Sequence, residues 1–306
     1  MSKLRIALEK YLSIRHSIGL KDSGYRSSLN NFVLFMEGIN AEYITNLLTI
    51  KWVKRPTKAT PHWWIRRLTM VRGFAKYLKA QDPRTEIPPV RLIPDHRTRR
   101  TPYIFTEKII INIMNAAEQL QSYNGLRGLT YSTIFGLLWA TGMRISEVIG
   151  LNNNDVDLHK NILFVHGAKF GKSRLIPIHE TTKKELTRYK QQRDITFPKP
   201  KCSSFFVTIH GKRPTPRIID ITFVQLSRKI GIRGQAEKRE PVLLDMRHSF
   251  AIRTLIRLYK ENKDVNKYLH SLSVYLGHVG ISSTYWYLTA IPELLEIAQS
   301  YLEKKM

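Results

Sequence analysis

Four residues of the chain have types and spacing that suit chemistry on a phosphodiester. Two are the arginines Arg144 and Arg247, the third is His278, and Tyr287 follows it nine positions later. A phenol hydroxyl can act as a nucleophile, and an arginine fork holds the oxygens of a phosphate. A tyrosine placed among arginines, a histidine and a lysine is equipped to attack a phosphodiester, so these residues form the candidate site.

Both arginines stand where a helix is expected to begin. Gly142 permits the left-handed backbone that ends one helix, which would put Arg144 at the N-terminus of the next, beside free backbone N–H groups. Arg247 opens a segment with the apolar pattern of a buried helix, where a charge is costly unless an anion matches it. Both are predicted to bind phosphate, although an ordinary surface arginine after a helix cap explains Arg144 equally well.

The other candidates each have a rival. Lys169 lies in a predicted hairpin turn, where it could protonate a leaving oxygen; Lys172 competes for that role, and a solvated hairpin tip explains both. Tyr287 has Tyr285 as its rival, in an aromatic cluster that also suits core packing. For His278, which follows a glycine suited to a tight bend, the alternative is a structural histidine.

The elements that must position these residues are mostly helical. Apolar residues recur at the helical period through residues 1–82, which predicts an all-helical N-terminal domain. Residues 83–101 are rich in proline and arginine, which predicts an extended, exposed and basic linker. Residues 102–306 mix both patterns and form the second predicted domain. The expected fold class is mainly α with a small antiparallel β-sheet.

A β-hairpin is predicted within the second domain. Residues 162–165 and 174–178 bracket a turn that contains glycine, and Pro177 marks its strand as an edge because proline cannot donate to a ladder. Helices are expected at 106–121, 128–140, 144–151 and 245–260, after Thr181, after Thr222 and near the C-terminus.

The chain is strongly basic. Its 50 lysines and arginines against 24 acidic residues give a formal net charge of +26, spread along the whole sequence, which predicts a protein that holds a polyanion over a large surface. Basic residues on the N-terminal helices are predicted to form a DNA-facing surface: Lys54, Arg55, Lys58, Arg66, Arg67, Arg72, Lys76 and Lys79.

Several other classes are not indicated. No amphipathic basic helix, lipidation motif, signal peptide or membrane span is evident, so we expect a cytoplasmic protein with no membrane partner. With Cys202 as the single cysteine and no histidine in ligand spacing, we expect no disulfide, no metal and no other cofactor.

The order and spacing of the candidate residues resemble those of the tyrosine recombinase family, also called phage-type integrases. Residues 140–147 look like its first arginine box, 246–251 resemble the second, and 276–278 with Tyr287 resemble the third. The resemblance covers the chain from about Pro102 onward, and the preceding helices are compatible with the family's core-binding domain. The sequence near the C-terminus looks more like recombinases carried on mobile elements.

The resemblance implies a cofactor-free transesterification on double-stranded DNA. Tyr287 would attack the scissile phosphate to form a 3′-phosphotyrosyl link, and Arg144 and Arg247 would hold the non-bridging oxygens. Lys169 would protonate the leaving 5′-oxygen, and His278 would bond to the phosphate. A homo-tetramer on two recombination sites, joined in some cases by sister recombinases, and association with a prokaryotic nucleoid are also implied.

Leu244 departs from the family pattern. The family usually has a histidine three residues before the second arginine, where it accepts the tyrosine proton or binds phosphate, and leucine can do neither. His248 shares a helix face with position 244 and could partly substitute for the missing histidine, but the favoured interpretation is that it is structural. General acid–base help contributes about a hundredfold to ten-thousandfold, so Leu244 predicts an impaired catalyst rather than a dead one. The alternatives are a non-catalytic DNA-binding relative and an enzyme like the type IB topoisomerases.

Overall fold

The computed structural model divides the chain into two compact units, Met1–Arg99 and Arg100–Met306. The residues that it describes are 2–20, 24–57, 59–94, 101–166, 173–234, 239–261, 263–277, 280 and 282–290. Several predicted features lie outside these ranges: Lys58, Lys169, Lys172, His278 and any part of the helix expected near the C-terminus that lies beyond residue 290.

The first unit is helical, as predicted. Its helices are α1 (Lys3–Ser17), α2 (Tyr25–Glu37), α3 (Asn46–Val53) and α4 (Pro61–Lys79). Side-chain caps start α1 and α3, because the hydroxyls of Ser2 and Thr45 accept backbone N–H groups of the first turn. The apolar stripes meet in one core, where Phe32 and Trp52 pack edge to face with ring centroids 5.0 Å apart.

The prediction of an exposed linker is wrong for part of residues 83–94. They form turns, bends and irregular backbone, but Thr85 and Ile93 are buried, and Ile93 joins the core of the first unit. The polar backbone finds partners there: the N–H of Glu86 donates to the carbonyl of Ile44 at 2.8 Å, and Arg72 donates to the carbonyl of Pro88. A segment outside helices and sheets can be buried when side chains and loops provide hydrogen-bond partners for its backbone N–H and C=O groups, as they do here.

The predicted DNA-facing set is also corrected at Arg67. Its guanidinium lies 3.6 Å from the centre of the Trp52 ring and donates to the carbonyl of Trp52 at 2.9 Å. Burial lowers the pKa of Arg67, and the residue therefore serves the core and not the surface. Other members of the set are exposed: Lys54, Arg55, Arg66, Lys76 and Lys79.

The second unit contains the remaining elements. In chain order they are α5 (Glu107–Glu118), α6 (Leu126–Thr141), α7 (Ile145–Val148), β1 (Val156–Asp157), β2 (Ile162–Val165), β3 (Arg174–Pro177), α8 (Glu180–Thr196), α9 (Pro216–Lys229), α10 (Leu244–Lys260), α11 (Val265–Leu276) and α12 (Ser282–Ala290). Helix α6 is central, with contacts to α5, α8 and α10, and is buried on most of its surface.

The helix expected after Thr222 begins earlier, at Pro216. The hydroxyl of Thr215 accepts the N–H of Ile218, and the fixed φ of proline suits the first helical position. Capping residues upstream of an apolar pattern therefore set this boundary.

The strands form one antiparallel sheet in the order β1-β2-β3. Ile162 pairs with Pro177 and Val165 with Arg174, so the proline lies on an edge strand as predicted. The register directs Leu163 and Ile176 into the core and leaves Leu175 exposed. The fold is mainly α with a small antiparallel sheet, as expected.

A second core in this unit positions the C-terminal helices. Leu255 of α10, Leu269 of α11 and Tyr287 of α12 are buried in the same cluster. Within the described ranges, no helix combines the length and apolar character needed to cross a bilayer. The same residues contain no group of three or more His, Cys, Asp or Glu side chains arranged to hold a metal ion.

Candidate active site

The first arginine lies just after a sharp turn. Helix α6 ends at Thr141, Gly142 takes a left-handed φ of 61°, and Arg144 is the N-cap of α7, as predicted. A Cβ on Gly142 would lie 2.6 Å from the Phe250 ring, so glycine is required here by packing as well as by φ. The backbone N–H of Arg144 donates to Glu147 Oε2 at 2.8 Å, which fixes the start of α7.

Glu147 joins two arginines. Its Oε1 accepts from Arg144 Nη1 at 2.9 Å, and its Oε2 accepts from Arg174 Nη2 at 2.8 Å. The Glu147 and Arg174 side chains are only 7% and 10% exposed. Burial alone would raise the pKa of Glu147, but hydrogen bonds and charge from Arg174 and Arg144 outweigh it, and the pKa is lowered. The carboxylate is therefore ionised and orients both guanidinium groups.

Arg247 of α10 is buried, and its guanidinium bonds to the C-terminal ends of two other helices, α6 and α11. Its Nη1 donates to the carbonyl of Gly142 at 3.0 Å, and its Nη2 donates to the carbonyl of Leu276. Burial, with the nearby positive charge of Arg144, lowers the pKa of Arg247 to about 10. The guanidinium stays charged at neutral pH although these two partners are neutral carbonyls, which suits a site that receives an anion.

The three arginines converge on the end of α11. Arg174 Nε donates to the carbonyl of Tyr275 at 2.7 Å, Arg247 to that of Leu276, and Arg144 Nη2 to that of Gly277 at 3.2 Å. The last carbonyls of a helix lack partners within the helix and carry its negative dipole end, so cations stabilise them. Gly277 ends the helix with a left-handed φ of 64°.

Tyr287 lies against α10 and close to Arg247. Its hydroxyl oxygen is 2.8 Å from His248 Nδ1, and the two rings have centroids 5.5 Å apart. The Tyr287 residue is 1% exposed, whereas Tyr285 is 42% exposed. Another tyrosine near the arginines, Tyr275, stacks on Phe250 at 5.6 Å, and burial raises its pKa to about 12, which makes it a poor nucleophile. Of the two tyrosines weighed from the sequence, Tyr287 is therefore the one in contact with α10.

Comparison with known proteins identifies the family. The sequence profile of the phage integrase family matches residues 104–293. Over 309 residues the chain is 39% identical to "Putative integrase/recombinase y4rB" of Sinorhizobium fredii (strain NBRC 101917 / NGR234), a match that covers 100% of this chain and 98% of that protein. This chain belongs to the phage integrase family. It is a tyrosine recombinase, as the resemblance implied.

More distant matches agree with this assignment. The chain is 25% identical to the tyrosine recombinase XerC of Chlamydia muridarum (strain MoPn / Nigg), over 93% of this chain and 83% of that protein. The Tn1549 transposon integrase, solved with transposon right end DNA, shares the fold with a TM-score of 0.67 at 16% identity over 99% of both chains. The XerH site-specific recombinase, solved with a palindromic difH substrate, gives 0.65 at 17% identity over 91% of this chain and 79% of that one.

The tyrosine recombinase structure brings three of the five predicted site residues into one region. Arg144 and Arg247 meet at the end of α11, and Tyr287 lies close to Arg247 and contacts the histidine that follows it. Lys169 and His278 lie outside the described residues. Described residues near them in the sequence are part of the cluster, because Arg174 lies five positions after Lys169 and Gly277 directly precedes His278.

Sequence reasoning missed three members of this recombinase site. Glu147 had a usable signal, a glutamate three residues after an N-cap. Arg174 had none, because only the hairpin register turns its side chain toward Glu147. Position 248 shares a helix face with 244, which allows His248 as a partial substitute for the missing histidine, but the favoured structural interpretation does not predict its contact with Tyr287. Leu244 itself opens α10 and is 52% exposed.

Proposed function

We propose that this tyrosine recombinase cleaves and rejoins double-stranded DNA at specific sites through a 3′-phosphotyrosyl intermediate on Tyr287. One observation carries the proposal: the Tyr287 hydroxyl is hydrogen-bonded to His248, the residue next to the buried Arg247. Adjacent residues of α10 thus hold the proposed nucleophile, through the His248 ring, and supply the phosphate-binding cation, Arg247. The reaction exchanges one phosphodiester for another, so no cofactor takes part.

The arginines are proposed to bind the scissile phosphate. A guanidinium has five N–H donors, and the bonds of Arg247 to Gly142 and Leu276 use two of them among the described residues. Those bonds fix the plane of the group while the others meet the non-bridging oxygens, and Arg144 contributes a second cation close by. Donors that are preorganised in this way stabilise the charge that grows as Tyr287 attacks.

In the forward step the Tyr287 oxygen bonds to phosphorus, and the bond from phosphorus to the 5′-oxygen breaks. We assign protonation of that leaving oxygen to Lys169 and a hydrogen bond to the phosphate to His278. These roles are supported by the short distance in sequence from Lys169 to Arg174, which bonds to Glu147, and from His278 to Gly277, whose carbonyl Arg144 binds. Attack by the 5′-hydroxyl of a partner strand reverses the step and reseals the DNA.

The proposed partners are two DNA recombination sites held by four copies of the chain, with sister recombinases in some assemblies. The net charge of +26 and the exposed basic residues of the N-terminal helices support DNA binding over an extended surface. We propose that residues 1–82 are the core-binding domain, 83–101 the connection and 102–306 the catalytic domain. The XerH and Tn1549 integrase structures are complexes with DNA, which agrees with this partner. We further propose that it acts in the cytoplasm of a prokaryote, on chromosomal or mobile-element DNA.

A nicked duplex that carries the authentic site tests the function. Loss of the short fragment beyond the nick traps the covalent adduct, which we expect with the unmodified protein and with Tyr285→Phe but not with Tyr287→Phe. Tyr285 is the matched control because it is exposed, in the same helix and of the same type.

Two other outcomes would favour other functions. Binding to the site without an adduct from any variant would identify a non-catalytic DNA-binding relative, for which Leu244 is the motivating residue. Relaxation of supercoiled plasmids that lack the site, by a monomer, would instead identify an activity like that of type IB topoisomerases.

A further inference from the structure

We propose that His248 accepts the proton of the Tyr287 hydroxyl, and so supplies the group that Leu244 cannot. This inference rests on the proposed function and adds a catalytic residue to it. It differs from the sequence interpretation, in which His248 was structural.

The geometry meets the requirement for a general base. His248 Nδ1 lies 2.8 Å from the Tyr287 hydroxyl oxygen, within the range of about 2.6–3.2 Å over which a base takes a proton directly. Packing fixes both side chains, because α10 and α12 contribute to the same core. The Trp286 ring also packs edge-on against the His248 ring, with centroids 5.7 Å apart. The contact therefore belongs to packed helices and not to a loop.

Position 244 cannot serve instead. A leucine side chain has no atom that accepts a proton, and Leu244 is half exposed at the first turn of α10. His248 lies four residues later on the same helix face, so its side chain is a neighbour of the side chain at position 244. The substitution at 244 thus leaves a neighbouring imidazole in contact with the nucleophile.

The nearby carboxylates have other partners. Asp245 is buried and accepts from Arg239 Nη2 and from the backbone N–H of Val242, each at 2.9 Å. Glu147 is held by Arg144 and Arg174. His248, by contrast, forms a hydrogen bond with the Tyr287 hydroxyl at 2.8 Å.

The proton must move together with the attack. Tyrosine and histidine ordinarily have pKa values near 10 and 6.5. Complete transfer of the proton to His248 before the attack is therefore unfavourable by roughly a thousandfold to ten-thousandfold. As the Tyr287 oxygen bonds to phosphorus, its O–H bond breaks and the proton goes to Nδ1, which requires the neutral ring to carry its proton on Nε2. The bond between phosphorus and the 5′-oxygen breaks at the same time, and its electron pair leaves with that oxygen. On resealing, the imidazolium returns the proton to the departing tyrosine oxygen.

Single-turnover adduct formation on the nicked duplex tests this role. We expect His248→Ala to slow the step by about a hundredfold to ten-thousandfold, with DNA binding and the melting temperature unchanged. Added imidazole should restore part of the rate. His248→Asn keeps a hydrogen-bonding amide but no base, so it should also be slow; a purely structural role predicts near-normal cleavage. His270→Ala, at an exposed histidine of α11, is the matched control and should cleave normally.

A second substrate separates nucleophile activation from leaving-group protonation. A sulfur in place of the bridging 5′-oxygen leaves without a proton, so it should rescue Lys169→Ala but not His248→Ala. Adding Leu244→His to His248→Ala should recover part of the rate, because the two positions share a face. Normal cleavage by His248→Ala, or its rescue by the sulfur substrate, would overturn the inference. No adduct from the unmodified protein on either substrate would refute the proposed function itself.

Discussion

The Glu147 carboxylate is predicted to stabilise the second unit strongly through the two arginines that it orients. It accepts four hydrogen bonds, two from Arg144 and two from Arg174. Glu147→Gln removes the negative charge at constant size and leaves the nearly buried Arg174 beside an amide. Removing one partner of a buried ion pair costs about 3–5 kcal/mol, and the partial exposure of Arg144 favours the lower end of that range.

For a unit of this size a loss of about 3 kcal/mol lowers the melting temperature by roughly 6–12 °C. Circular dichroism on the full chain measures the transition. Glu185→Gln is the matched control, because Glu185 pairs with Arg188 at 3.3 Å on the surface, where both side chains are about half exposed. An exposed pair contributes under about 1 kcal/mol, so this variant should melt nearly as the unmodified chain does.

The pH dependence gives the sign of the effect. The pKa of Glu147 is below its ordinary value of 4.5, so the unfolded chain binds the proton more readily than the folded one. The stabilisation is complete above the ordinary pKa and is lost as the pH falls through the lowered one. The stability difference between the unmodified protein and Glu147→Gln should therefore shrink in acid. Equal losses for Glu147→Gln and Glu185→Gln, or a difference that is the same at every pH, would refute the reasoning.

Two further predictions concern the arginine cluster. Gly142→Ala should cost about 2–4 kcal/mol in urea denaturation, since it adds a clash with Phe250 to left-handed strain, whereas Gly231→Ala, with a φ of 75° and open space, should cost only about 1–2 kcal/mol; similar losses would contradict the packing argument. Arg247→Lys should reduce covalent adduct formation about a hundredfold or more while site binding persists, and the exposed Arg228→Lys should leave it unchanged; retained cleavage by Arg247→Lys would show that a lysine ammonium suffices.

Local patterns predicted much of the fold. The glycine at 142 ends α6 and Arg144 caps α7 because these depend on nearby residues alone. Pro177 lies on an edge strand for the same kind of reason, the missing N–H. The burial of Thr85 and Ile93 was missed, because it depends on partners in distant segments, such as the carbonyl of Ile44.

The site shows the same division. The spacing of boxes in the sequence indicated Arg144, Arg247 and Tyr287, but not the contacts between them. Arg174 meets Glu147 only because the hairpin register and the start of α7 bring distant residues together. The contact of His248 with Tyr287 requires α12 to pack on α10, which no local pattern encodes.

Under the proposed function, the burial of Tyr287 separates DNA binding from DNA cleavage. A net charge of +26 favours binding to DNA of any sequence, because this attraction is to the phosphate backbone and not to the bases. In the proposed reaction the scissile phosphate must reach the Tyr287 hydroxyl, whose residue is only 1% exposed, so a path to it must open while its contact with His248 is kept. Under that proposal, breaks are confined to DNA that holds the protein long enough, and in the right shape, to open this path.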